Sequence, residues 1–369
     1  MDAVGAFEPG AQCVELMPGV VPFVEVRGVD LGGLKGPQLQ AAVALVYSKG
    51  VVCFRGQEAL TPAAELNFAK SFPHDPNEPQ GASYAGGAAA QPKLPAPFGA
   101  IAVIGAYDLS DYHGLTATST AVYPPWARDD QLLWHTDGAA DTKPPPDLTT
   151  MRCVETPETG GETHFRCARR AAAALYDAES ATYKIRLSDG SEIDASLLRV
   201  RYRLLSGALP RPLGFSLESC DSAKTREGDS LVNDAAGTEW PLLIREPISG
   251  DVSLCTTYHV SSAVLLDASG GISRLFDFDE ANDAVERAWA PESNDVAYVH
   301  KWLVGDVVAW TNRLVIHTAT NSSSYAGKTR IHHRIRIRAP PGNAPMAMNE
   351  APHQLFKASE ARASPSRPS

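Results

Sequence analysis

Short apolar runs broken by Gly, Pro and Asp recur along most of the chain, and their periods predict its elements. "VPFVEVRGVDL" reads as a strand. In "GPQLQAAVALVYSKG", Leu39, Ala42, Val43 and Val46 recur at helical spacing behind Pro37, which predicts an amphipathic helix. "GVVCFRGQ" is a short buried strand, and Thr61-Pro62 is an N-cap and first-turn signal for a helix to about Phe72. The Pro/Gly/Ala-rich stretch 73–100 predicts a long loop, of the kind that carries function or moves. Apolar texture returns at Ile101.

Residues 148–168 predict two strands around Gly160-Gly161. "YKIRLSDGSEIDA" predicts a hairpin turning at Asp189-Gly190, and "PLLIREPISGDVSLCTTYHV" one turning at Ser249-Gly250. Between them, Ser219 to Glu239 is polar and loop-like. Residues 271–289 predict a helix, "VAYVHKWLVGDVVAWTNRLVIHTA" two strands around Gly305-Asp306, and "KTRIHHRIRIRAP" one more strand. No internal repeat is visible. The sum is an antiparallel β core with helices packed on one side, in one domain over 1–342. Residues 343–369, rich in Pro, Ala and Ser, predict a disordered tail.

Composition narrows the partners. A formal charge of −10 lacks the basic footprint that phosphate needs, so no nucleic acid or anionic membrane surface is expected. The first ten residues contain no Lys or Arg, and no run reaches the roughly 18 apolar residues of a membrane span. The expected compartment is cytoplasmic and reducing. The six cysteines form no C-x-x-C, which argues against a zinc knuckle, and Cys53 and Cys255 lie in strand-like runs as buried thiols.

The chemistry centres on "LLWHTDGAADTKPPP". His135 and Asp137 are alternate residues, and alternate residues of one strand face the same way, so both can reach one ion. A lone H-x-D is also a common strand end. His317 in "WTNRLVIHTATN" ends a second apolar strand in the same manner. Two histidines and a carboxylate form the facial triad of non-haem Fe(II), which leaves three positions open. Arg330, His332, Arg334, Arg336 and Arg338 then share one face of the last strand. On an outer sheet they are an exposed basic stripe. Facing inward, they need an anionic partner such as a dicarboxylate.

These blocks together resemble the taurine dioxygenase (TauD/TfdA-like) family of Fe(II)/2-oxoglutarate-dependent dioxygenases. The likeness runs through "FVEVRGVDLGG", "GVVCFRGQEALTPAAELNFAKSF", "WHTD", "ETPETGGETHF", "PLLIREPISGDVSL", "KWLVGDVVAWTNRLVIHTATN" and "RIHHR", over most of 20–340. It implies a mainly β fold, a distorted, cupin-like jelly-roll (double-stranded β-helix). It implies His135, Asp137 and His317 as iron ligands, with Thr163 and Arg330 binding the co-substrate 2-oxoglutarate. Arg334 is implied to meet an anionic group of the primary substrate, with Asp141 or Asp147 as the rival partner. The cofactors implied are Fe(II), 2-oxoglutarate and O2, and the reaction is C–H oxidation of a small anionic molecule with release of succinate and CO2.

A carboxylate at 137, where halogenating relatives carry a small residue, implies hydroxylation, desaturation or oxidative ring closure; purine hydroxylation is a further alternative. Two regions depart from the family pattern, 73–100 and about 178–239, where the family builds its substrate lid. Tyr123 is a candidate pocket residue or a packing tyrosine. A homo-oligomer stays open. The rival classes are a non-catalytic metal-binding jelly-roll, which needs neither Thr163 nor Arg330, and a zinc hydrolase, for which no H-E-x-x-H helix is present.

Overall fold

The computed structural model describes residues 7, 10–18, 21–75, 92–120, 134–137, 146–203, 237–255, 260, 262–291, 297–320, 322–338 and 340. The expected tail 343–369, Tyr123, Asp141 and much of both lid regions lie outside the described residues.

In chain order the elements are β1 (Gln12–Met17), β2 (Val21–Arg27), α1 (Gly36–Lys49), β3 (Val51–Phe54), α2 (Pro62–Lys70), β4 (Ala102–Tyr112), β5 (Leu115–Ser119), β6 (Pro146–Glu155), β7 (Thr163–Cys167) and α3 (Ala168–Leu175). There follow β8 (Tyr176–Asp177), β9 (Thr182–Arg186), β10 (Glu192–Asp194), β11 (Leu198–Arg203), β12 (Gly237–Pro241), β13 (Leu243–Arg245), β14 (Val252–Leu254), β15 (Ser262–Leu266) and β16 (Ile272–Phe276). The chain continues with α4 (Phe278–Trp289), β17 (Tyr298–His300), β18 (Val307–Thr311), β19 (Val315–Ala319) and β20 (Arg330–Arg338).

Eight strands form the main sheet in the order β1-β2-β3-β18-β6-β20-β4-β5, and β17-β7-β19 form a smaller sheet. Side chains of the two meet in an interior of Phe23, Met151, Phe165, Tyr298, Trp302 and Trp310. Alternation assigns the faces. On β18, Val308 and Trp310 join this interior while Val307 and Ala309 join a second core with α1 and α2. That is a jelly-roll, with most pairings antiparallel and β2–β3 parallel.

Local signals account for the helices. Thr61 accepts from Ala64 N at 3.2 Å and so caps α2. Asp277 and Glu280 form a reciprocal capping box at α4.

Three expectations need correction. The run 271–289 is a strand, β16, followed by α4; Asp277 supplies the break, because its cap starts the helix there. The run 297–320 holds three strands rather than two, since a turn at 312–314 sends β19 out of the main sheet into the small one. Helices also flank both sides of the roll: α1 and α2 lie over the main sheet, while Ala and Leu residues of α3 and α4 build a third core with β11, β13 and β15. The predicted hairpins at Asp189-Gly190 and Ser249-Gly250 are the pairs β9–β10 and β13–β14.

Candidate active site

His135 lies on a single bridge rather than in a full strand. Its backbone exchanges two 2.9 Å hydrogen bonds with His317 of β19, which extends the small sheet by one residue. The bridge sets the two imidazoles side by side, with ring centroids 4.3 Å apart. Asp137 follows at the first turn after it. Ligand-capable atoms of His135, Asp137 and His317 all lie within 4.8 Å of one another.

The main sheet holds the aspartate in place. Thr149 of β6 donates to Asp137 Oδ2 at 2.7 Å, and Asn312 Nδ2 donates to Thr149 Oγ1 at 3.0 Å. Asn312 Oδ1 accepts from Asp137 N at 3.4 Å and from Trp310 Nε1 at 3.2 Å. Trp310 in turn packs its ring 5.0 Å from that of His317. These supports fix one carboxylate oxygen and one imidazole plane before any ligand arrives.

The protonation states suit a cation. Burial, then His135 alongside, pushes the His317 imidazolium down to about 3, so the ring is neutral and keeps a lone pair. Burial alone would raise Asp137, but Arg334, His317, Arg336 and His135 outweigh it and hold the carboxyl well below its usual range. His317 Nδ1 is buried with no hydrogen-bond partner among the described residues. Two imidazole nitrogens and one carboxylate oxygen, converging on one point, can hold a divalent first-row metal with open positions.

The last strand lines the rest of this interior. Ile331, Ile335 and Ile337 face the helices, so Arg330, His332, Arg334 and Arg336 face the roll. Arg330 is 5 % exposed and His332 fully buried, which rules out an exposed basic stripe there. Arg330 Nη2 donates to Gly161 O at 3.3 Å, while its buried Nε has no hydrogen-bond partner among the described residues. Burial lowers the pKa of this guanidinium, against the opposing charges of Tyr325, Cys153 and Glu162. Gly161 (φ +77°) makes room: a Cβ there would stand 2.9 Å from Arg330 Nε.

Thr163, at the start of β7, is buried and accepts from Trp302 Nε1 at 3.1 Å. Arg334 approaches Asp137 with Nη1–Oδ1 at 3.5 Å. Asp147, one of its expected rivals for partner, is instead bound by Arg313 at 2.6 Å and by the Tyr47 hydroxyl at 2.9 Å.

Thr149, Asn312, Trp302 and Gly161 were not singled out by sequence reasoning. Only the glycine pair carried a signal, as a turn. The others matter because of what they touch across the roll.

Comparison with known proteins agrees. The family model for taurine catabolism dioxygenase TauD, TfdA family matches residues 14–336. The α-ketoglutarate-dependent xanthine dioxygenase of Schizosaccharomyces pombe is 24% identical over 358 residues, covering 85% of this chain and 84% of that protein. The α-ketoglutarate-dependent 2,4-dichlorophenoxyacetate dioxygenase of Cupriavidus pinatubonensis is 29% identical over 185 residues, 50% of this chain and 53% of that one. Among solved structures, a taurine dioxygenase from Burkholderia xenovorans superposes with a TM-score of 0.59 at 20% identity, over 95% of this chain and 99% of that one. With a His/Asp/His cluster inside a jelly-roll and a family match over nearly its whole length, the chain belongs to the TauD/TfdA family of 2-oxoglutarate-dependent dioxygenases.

Proposed function

We propose that residues 1–342 form one catalytic domain that oxidises a C–H bond of a small anionic organic molecule, using Fe(II), 2-oxoglutarate and O2 and releasing succinate and CO2. One observation carries the reading: the converging His135/Asp137/His317 cluster lies in the same interior as a buried Arg330 whose Nε has no hydrogen-bond partner among the described residues. A zinc hydrolase or a passive metal-binding roll has no use for that arginine.

In this reading His135, Asp137 and His317 hold the iron. The bound metal supplies the oxidising chemistry, drawing electrons from 2-oxoglutarate. Thr149 and Asn312 keep the Asp137 carboxylate oriented, so the metal meets a preformed face. Arg330 clamps the distal carboxylate of 2-oxoglutarate, and the Thr163 hydroxyl, already accepting from Trp302, donates its own proton to the same group. The apolar interior of Phe165, Trp302 and Trp310 excludes water around these contacts.

Arg334 meets the anionic group of the primary substrate. Its side chain is 17 % exposed where that of Asp137 is 5 %, so it is the more solvent-accessible of the pair. Asp147, one rival for Arg334, is already committed to Arg313 and Tyr47.

The test is a panel of sulfonates, aryloxy and amino-acid-derived carboxylates and oxidised purines, scored by succinate release with Fe(II) present. Turnover of an anionic member, with Arg334→Gln raising its KM and leaving uncoupled 2-oxoglutarate decay intact, supports the reading. A lower Tm in Arg334→Gln with an unaltered KM would instead make Arg334 a structural partner of Asp137.

A further inference from the structure

We infer that His332 is a positioning residue for the co-substrate, hydrogen-bonding through its imidazole the same distal carboxylate that Arg330 clamps. The inference rests on the proposed role of Arg330 and deepens it.

His332 sits one pleat from Arg330 on β20, opposite Cys153 of β6 and Ile104 of β4, and turns into the roll. It is fully buried, and neither ring nitrogen has a hydrogen-bond partner among the described residues. A buried imidazole stripped of water and left unpaired costs free energy, and native structures rarely leave one without a reason.

Its surroundings show what kind of partner is missing. The charges that act on it are those of Arg330, His300 and His333, and Cys153 stands opposite it on β6. His333, on the opposite face of the strand, is taken up by Glu65 and Tyr112, each at 2.8 Å. His300 lies 2.8 Å from the Tyr298 hydroxyl and 3.2 Å from Asp306. No carboxylate stands among those groups, while a guanidinium does. The place therefore suits an acceptor with negative charge.

Two independent features mark the distal end of a dicarboxylate there. Trp302 meets the His332 ring edge-on with centroids 4.6 Å apart, and the same indole donates to Thr163. Through Trp302, His332 is joined to Thr163, and one pleat along β20 stands Arg330. The β6–β20 ladder also carries a bulge between Ile331 and His332. Bulges re-aim side chains and commonly sit beside sites.

The test uses Zn(II)-loaded protein, which binds without turnover, titrated by calorimetry with 2-oxoglutarate and with pyruvate. Pyruvate keeps the 2-oxo acid head and lacks the distal carboxylate. His332→Leu should weaken 2-oxoglutarate by about tenfold or more, the worth of one hydrogen bond to a charged group. Pyruvate affinity should stay unchanged, and His332→Gln should recover most of the loss. In wild-type protein labelled with 15N-histidine, the imidazole signal absent from His332→Gln should shift with 2-oxoglutarate and not with pyruvate, an outcome that needs no folded leucine variant. Equal effects on both ligands, or a lower Tm with unaltered affinities, would make His332 structural and overturn the inference. Arg330→Gln separates the layers. If it also binds 2-oxoglutarate like wild type, the clamp reading fails; if it is weak while His332→Leu is normal, only the role of His332 fails.

Discussion

Among the described residues, two clusters of metal-capable side chains, His135/Asp137/His317 and Cys53/His300/Asp306, have their atoms within 4.8 Å of one another. Their neighbours tell them apart. Asp306 accepts from the Arg55 guanidinium and, at 2.8 Å, from Leu303 N, and Arg55 also reaches Glu25 at 2.6 Å. Burial, then the charge of Asp306, pushes the Cys53 thiol well above its ordinary value, so it stays protonated and is a poor ligand. A cation already occupies that cluster as a side chain. In the first cluster Arg334 stands 3.5 Å from Asp137, the Asp137 carboxyl is held well below its usual range and His317 is neutral. Proximity of ligand-capable residues is thus a weak criterion. Protonation state and prior commitment decide.

The largest expected effect breaks the comparison outright. His317→Ala should abolish stoichiometric Fe(II) binding and succinate release, while Cys53→Ala keeps about one iron per chain. Metal analysis of both purified variants checks this, and iron lost from Cys53→Ala would reverse the assignment. Next, Arg330→Ala should raise the 2-oxoglutarate requirement by tens to thousands of fold, since truncating one partner of a buried charged pair costs about 2–5 kcal/mol. Thr163→Ala should cost only about 0.5–1.5 kcal/mol. Initial rates against co-substrate concentration measure both, and a normal requirement in Arg330→Ala would move the clamp to another arginine of β20.

How far the sequence carried these assignments depends on the kind of contact. The convergence of His135, Asp137 and His317 and the inward face of Arg330 were legible because the two histidines end apolar runs, alternation on β20 fixes which of its side chains share a face, and the order of blocks matched a family. Thr149 and Asn312 were not, because their bonds to Asp137 join residues 12 and 175 positions away, and no local pattern encodes such a meeting. The same holds for β19. Its apolar run looks continuous with that of β18, and only the turn at 312–314, where Leu314 N bonds back to Thr311, reveals the change of sheet.

Smaller effects sharpen the distinction. Asn312→Ala should weaken Fe(II) affinity by about 10–100-fold, the usual loss when a ligand's supporting hydrogen bonds go, with the fold intact by circular dichroism. Asp306→Asn should do the opposite: iron content unchanged and stability lower by roughly 3 kcal/mol, at the low end for a broken buried pair because Arg55 keeps some contact with water. Calorimetric melting beside metal analysis would separate these two signatures.

The bridge between His135 and His317 belongs to the small sheet, whereas Asp137 is tied through Thr149 to the main one. An ion gripped by all three would be a rivet through two layers that otherwise cohere by side-chain packing. Folding and loading then become one equilibrium. The apparent melting temperature should climb with free metal concentration by mass action, and the empty protein should part first along the seam between its sheets.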